Sequence, residues 1–211
     1  MSDGFPATSA AQSRNGVWWL LGLLMATLVL VQLLVSLGGE NWRLALRYER
    51  AAVLEHGEWW RLVTAHVVHG TWRHLLLNGA GLVLVAVLFA RDYSVRAWLL
   101  ILALSVAAID LGFVLWEPQL QWYVGLSGVL HGVMAAGAVA WWRHETKALA
   151  LVLTLALVAK LAWEQWHGAL PLSGDMPVVV DAHLYGAFGG ALAGVILWIR
   201  TRDWPAGLRS L

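Results

Sequence analysis

One serine, Ser127, stands between glycines at the mouth of a long apolar stretch, in Gly125-Leu126-Ser127-Gly128-Val129-Leu130-His131-Gly132. One histidine, His183, stands near the start of the last apolar stretch, in Asp181-Ala182-His183-Leu184-Tyr185-Gly186. In hydrocarbon a polar group is costly unless it is paired or functional. Side by side, a neutral imidazole would take the hydroxyl proton and make the serine a nucleophile. The chemistry of such a pair is acyl transfer, and its oxyanion needs fixed donors. His74 and Asn78 are four residues apart and share one face of a helix. With the Ser127 backbone N–H they could supply those donors. Asp181 lies two residues before His183, points elsewhere on a helix, and reads as a loop or cap residue. No third carboxylate is obvious.

The elements that hold these residues are membrane spans. The chain has 211 residues, 60% of them hydrophobic and only 13% charged. A soluble domain is about one quarter charged. A net charge of +1 gives no reason to expect a nucleic-acid partner. Without cysteine there is no disulfide and no thiolate chemistry. His66, His69 and His74 are the candidate metal ligands, but no His-Glu-x-x-His accompanies them. No metal and no cofactor is expected.

A span needs about 20 mostly apolar residues. Six stretches qualify: 17–37, 73–90, 97–116, 123–142, 148–166 and 178–199. The expected organisation is a cytoplasmic tail over 1–16, a six-helix domain over 17–199 and a cytoplasmic tail over 200–211. Basic residues set the orientation. Arg14, Arg91, Arg96, Arg143, Lys147, Arg200, Arg202 and Arg209 share one side. Arg43, Arg47, Arg50, Arg61 and Arg73 on the other side all fall in one long loop. Both termini are therefore expected in the cytoplasm. The tryptophans, Trp18 and Trp98 at inner ends and Trp116 and Trp166 at outer ends among them, suit an interfacial belt. Between the first two spans, Trp42 to Leu54 reads as an amphipathic helix lying in the outer interface.

On this plan the second, fourth and sixth spans all run from outside to inside. His74, Asn78, Ser127 and His183 each lie within about five residues of an outer end, roughly 7 Å at the helical rise. Four polar groups thus share one depth. Ala182, Gly186, Gly190 and Gly194 recur every four residues, as do Gly128 and Gly132. Small residues so spaced let membrane helices approach closely, which would bring Ser127 to His183. Lys160 and Glu164 are read as a pair on the fifth span, with the lysine snorkelling outward. Asp110, in the third span, is read as bonding neighbouring helices or tuning the site.

At these residues the sequence resembles the rhomboid family of intramembrane proteases, over about residues 57 to 198. The family's Gly-x-Ser-Gly stands as Gly125-Leu126-Ser127-Gly128, its Ala-His-x-x-Gly as Ala182-His183-x-x-Gly186, and its His-x-x-x-Asn as His74-x-x-x-Asn78. Trp60-Arg61 and His69 precede the last of these, as in many members. The resemblance implies an all-α six-transmembrane-helix bundle with an amphipathic outer loop between helices 1 and 2. It implies Ser127 as nucleophile, His183 as base, and His74 and Asn78 at the oxyanion. His131 stands where members often have an aromatic residue packing on the base. The octapeptide around Ser127 and the Ala-His-Leu-Tyr-Gly-Ala around His183 look most like the rhombosortase branch. That branch implies a bacterial inner-membrane enzyme facing the periplasm, and a substrate carrying a C-terminal Gly-Gly anchor in the lipid bilayer. Two other readings stand beside it: a non-catalytic rhomboid-like protein that binds membrane segments, and a small transporter using the same polar cavity. The intact serine–histidine pair speaks against the first, the lack of paired halves against the second.

Overall fold

The computed structural model describes residues 8–144, 146–170 and 177–202. The ends of both expected tails (1–7 and 203–211) and part of the connection before the last span (171–176) lie outside them. The described residues form helices α1 (Thr8–Gly38), α2 (Glu40–Leu46), α3 (Arg50–Leu54), α4 (Arg61–Thr64), α5 (Trp72–Phe89), α6 (Val95–Trp116), α7 (Ser127–His144), α8 (Lys147–His167) and α9 (Val180–Arg202). Two short strands, β1 (Tyr48–Glu49) and β2 (Trp122–Tyr123), pair antiparallel.

Among the described residues, five helices are long and apolar enough to cross a membrane: Asn15–Gly38 within α1, then α5, α6, α8, and Val180–Arg200 within α9. The chain is an integral membrane protein. Helix α7, the fourth expected span, is not among the five. Its 18 residues include Ser127, His131, three glycines and the basic end at Arg143, which dilute its apolar character. It packs chiefly against α9, with α5, α6 and α8 at its sides. A helix wrapped by other helices need not be apolar towards lipid.

Helix starts follow capping chemistry. The Thr71 hydroxyl accepts from the His74 N–H at 3.1 Å and opens α5. Ser94 does the same for the Ala97 N–H and opens α6. Because Thr71 fixes the start of α5, His74 falls in its first turn.

Helices α7 and α9 touch backbone to backbone. A methyl at Gly128 would stand 2.7 Å from the Ala182 carbonyl oxygen, and one at Gly186 or Gly190 would fall inside the carbonyls of Gly128 or Gly132. Only glycine allows this approach. It puts the start of α7 beside the start of α9.

The outer loop differs from the single interfacial helix expected over Trp42 to Leu54. The helix breaks after Leu46, and Tyr48–Glu49 pairs with Trp122–Tyr123. The arginines explain the break, because their side chains satisfy backbone carbonyls elsewhere. Arg50 donates to the Phe113 and Val114 carbonyls at 2.9 and 3.2 Å, at the C-terminal end of α6. Arg43 donates to the Gly70 carbonyl, and Arg61 to those of Leu44 and Arg47. The loop is thereby stapled to the bundle and to the segment that precedes Ser127. Trp98, counted with the interfacial belt, is fully buried.

Candidate active site

The site begins in the backbone before Ser127. Gly125 has φ +123°, a conformation side chains rarely adopt. Its N–H donates to the Ala65 carbonyl at 2.9 Å, and its own carbonyl accepts from the Tyr123 hydroxyl at 2.6 Å. So pinned, the chain turns directly into α7 with Ser127 as its first residue. The helix therefore starts about four residues later than the apolar pattern suggested.

Close contact of α7 with α9 brings the pair together. The Ser127 hydroxyl lies 2.9 Å from Nε2 of His183, which is buried. A hydroxyl that donates to Nε2 needs a lone pair there, so the neutral ring carries its proton on Nδ1. That Nδ1 lies 2.8 Å from Oε2 of Glu164 on α8. The same oxygen lies 2.6 Å from Nζ of Lys160, one turn earlier. Glu164 is 3% exposed, so this carboxylate is committed to its two partners.

His131, one turn into α7, donates from Nδ1 to the Ser127 carbonyl at 2.7 Å. Its ring stacks on that of His183, 4.1 Å between centroids and 17° between planes. His74 and Asn78 approach from α5. The position a methyl would take on Gly125 lies 2.7 Å from His74 Nε2 and 3.8 Å from Asn78 Nδ2. Gly125 thus leaves room for both. His74, Asn78, Ser127, His131, Glu164 and His183 all border one cavity of about 840 Å³. Its walls are Leu77 and Leu84 of α5, Leu153 and Leu157 of α8, and Met134 below the serine.

Glu164 was missed by sequence reasoning as a member of the site. The signal was present: an acidic residue in an otherwise apolar stretch is functional by default. Its pairing with Lys160 was legible at four-residue spacing. Which face of α8 the pair would occupy was not. Lys160 pairs with Glu164 as expected and borders the cavity, its Nζ at the oxygen that also meets His183. Asp181 occupies the first turn of α9, and the carboxylate that meets the His183 ring is that of Glu164. Asp110 meets Nε2 of His66 at 3.3 Å beneath Tyr123.

The metal question moves to other residues. Among the described residues the donors that converge are those of His131, Glu164 and His183, within 4.8 Å of one another, and not those of His66, His69 and His74. Both His183 nitrogens and His131 Nδ1 already have partners. The two rings lie face to face, whereas an ion is bound in the plane of each ring. The arrangement fits a stacked base better than a metal centre.

Outside the spans, His69 is fully buried, with its ring edge-on to His74 at 4.9 Å. Burial, and then the neighbouring His74, push its pKa down to about 3, so it stays neutral.

The structure thus brings together a serine at a helix start, a histidine on its hydroxyl and two polar residues across an apolar cavity, in a chain with several membrane-spanning helices. The family model for the Rhomboid domain matches residues 56–200, and the chain belongs to the rhomboid family. It is 35% identical over 78 residues to a Bacillus subtilis (strain 168) protein called "Putative rhomboid protease YdcA", which covers 37% of this chain and 39% of the relative. It is 28% identical over 158 residues to RHOMBOID-like protein 7 of Arabidopsis thaliana, which covers 72% of this chain and 47% of the relative. The chain spans less than half the length of either curated relative.

Proposed function

We propose that this protein is an intramembrane serine protease. The observation that carries the reading is the 2.9 Å contact between Ser127 Oγ and His183 Nε2 at the edge of an apolar cavity. Ser127 Oγ attacks the scissile carbonyl carbon while His183 Nε2 takes its proton. His74, Asn78 and the Ser127 N–H face the oxyanion. His183 then gives the proton to the leaving nitrogen, and the C–N bond breaks. Water, deprotonated by the same nitrogen, cleaves the acyl-enzyme and restores the serine.

The cavity lies between α5 and α8, with α7 at its back. Helix α8 is the least buried of the five apolar helices, which suits entry of a substrate helix from that side. Counting α7 as the fourth of six spans sets both termini on one side. The basic residues favour the cytoplasm for residues 1–16 and 200–211, and the rhombosortase likeness points to a site at the periplasmic face of a bacterial inner membrane. The rhombosortase likeness points to an exported protein with a C-terminal Gly-Gly anchor as substrate.

The test is purified protein in vesicles with a reporter carrying a single membrane segment. Cleavage by the wild type and none by Ser127→Ala supports the reading. Equal cleavage by both, or release of an intact bound segment without cleavage, overturns it.

A further inference from the structure

Resting on the protease reading, we infer that Glu164, neutralised by Lys160, is a positioning residue that holds His183 in the tautomer and orientation the reaction needs. The serine hydroxyl can donate to His183 Nε2 only if the ring proton is on Nδ1. Left alone, an imidazole populates both tautomers, and one of them presents an N–H to the serine. The bond from Nδ1–H to Glu164 Oε2 at 2.8 Å selects the productive form.

The surroundings of the ring leave this task to Glu164. His183 is faced by Ser127 and His131 from α7, by Glu164 and Lys160 from α8, and by His74 from α5. His131 stacks on the ring face and fixes its plane, but it makes no bond that distinguishes Nδ1 from Nε2. Ser127 can both donate and accept, so it selects no tautomer by itself. A carboxylate accepts only, and it stands at Nδ1.

The ion pair also needs a reason. Two charged groups in a membrane helix cost free energy that apolar side chains would not. Packing α8 against α9 needs neither charge. Lys160 balances the carboxylate charge of Glu164, its Nζ lying 2.6 Å from the same Oε2 that meets His183 Nδ1 at 2.8 Å.

Three variants test the inference: Glu164→Gln, Glu164→Leu, and the double variant Glu164→Leu with Lys160→Met. The double variant removes both charges and guards against misfolding from an orphaned lysine. The measurements are kcat and KM on the single-segment reporter, and the ring ¹⁵N spectrum of His183 in histidine-labelled protein, assigned by difference from His183→Ala. In the wild type, Nδ1 carries the proton. The double variant loses about a hundredfold in kcat, with KM within about threefold, and its ring becomes a mixture of tautomers. Gln keeps an oxygen acceptor, so Glu164→Gln keeps the tautomer and recovers kcat to within about tenfold of wild type. Wild-type kcat in the double variant, or an unchanged tautomer there, overturns the inference while cleavage by the wild type leaves the protease reading standing. A wild type that neither cleaves nor reacts at Ser127, yet shows a tautomer dependent on Glu164, overturns the protease reading and supports Glu164 as the residue that orients His183.

Discussion

His131 lies parallel over His183, with ring centroids 4.1 Å apart, and its Nδ1 is bound to the carbonyl of Ser127. Nucleophile and base are therefore linked through a third residue on the helix that carries the nucleophile. The stacked ring stops His183 from tilting out of reach of the serine. A tyrosine can stack in its place, although it lacks the bond to Ser127. We expect His131→Tyr to keep activity within about tenfold of wild type and His131→Ala to lose more, since a methyl leaves the base unsupported. Initial rates on the reporter decide it, and equal wild-type rates for both variants would remove His131 from the site.

Loss of either member of the pair should be far more severe. Ser127→Ala and His183→Ala should each lower cleavage at least about a thousandfold while the protein still accumulates in the membrane. A fluorophosphonate should label Ser127 in the wild type and nothing in Ser127→Ala. Labelling that persists in Ser127→Ala would place the nucleophile elsewhere.

The glycine contact between α7 and α9 should be as unforgiving as a catalytic residue. In Gly190→Ala the new methyl meets the Gly132 carbonyl, and the two helices must part. Overpacking of this kind costs about 1–3 kcal/mol, and parting the helices also separates Ser127 from His183. Gly22→Ala is the control, because nothing lies within 4 Å of that position. Thermal unfolding in detergent should show Gly190→Ala lowered and Gly22→Ala unchanged or raised. Equal stability would mean that α7 and α9 tolerate a wider spacing.

Much of the site was legible because membrane residues are conspicuous when polar. Ser127, His183, His74 and Asn78 stood out at one depth, and the four-residue glycine spacing gave the helix contact that joins two of them. Glu164 stood out equally but lacked an address. Its rotation about α8 is set by which face meets α9, and a helix apolar nearly all round does not reveal that face. The outer loop misled for a related reason. Arg43, Arg47 and Arg50 repeat at helical spacing, but each arginine instead finds a carbonyl or a carboxylate nearby, such as the last turn of α6 for Arg50. Helix α7 was counted among the spans from its apolar residues. Its glycines, serine and histidine follow from its central position among other helices.

Burial of neutral His69 predicts sensitivity to acid. Its pKa in the folded protein is about 3, below the unfolded value of about 6.5. The folded state favours the neutral ring, so this contribution is complete above about pH 6.5. It declines as the pH falls towards 3, by up to about 1.4 kcal/mol per unit. His69→Gln cannot titrate there. The stability difference between wild type and His69→Gln should therefore shrink or reverse as the pH drops from 7 to 4. A difference that is constant with pH would show that His69 takes up its proton without disturbing the fold.

The last expectation concerns what is cut. A regular helix shields its carbonyls within its own hydrogen bonds, so a substrate must unwind before Ser127 can reach one. Glycine costs about 1 kcal/mol relative to alanine in a helix, and it lets the backbone approach a catalytic group closely. Approach is restricted here, because Gly125 already brings His74 and Asn78 close in front of the serine. A membrane segment with Gly-Gly at its outer end meets both needs, and basic residues after the segment would fix it as a C-terminal anchor. Two reporters separate the parts of this proposal: one with Gly-Gly before its C-terminal segment, and one with Leu-Leu in the same place. The first should be cut at least about tenfold faster, and mass spectrometry should find the cut beside the glycines. Equal rates, or cleavage confined to reporters with N-terminal anchors, would remove the sorting role and leave the protease.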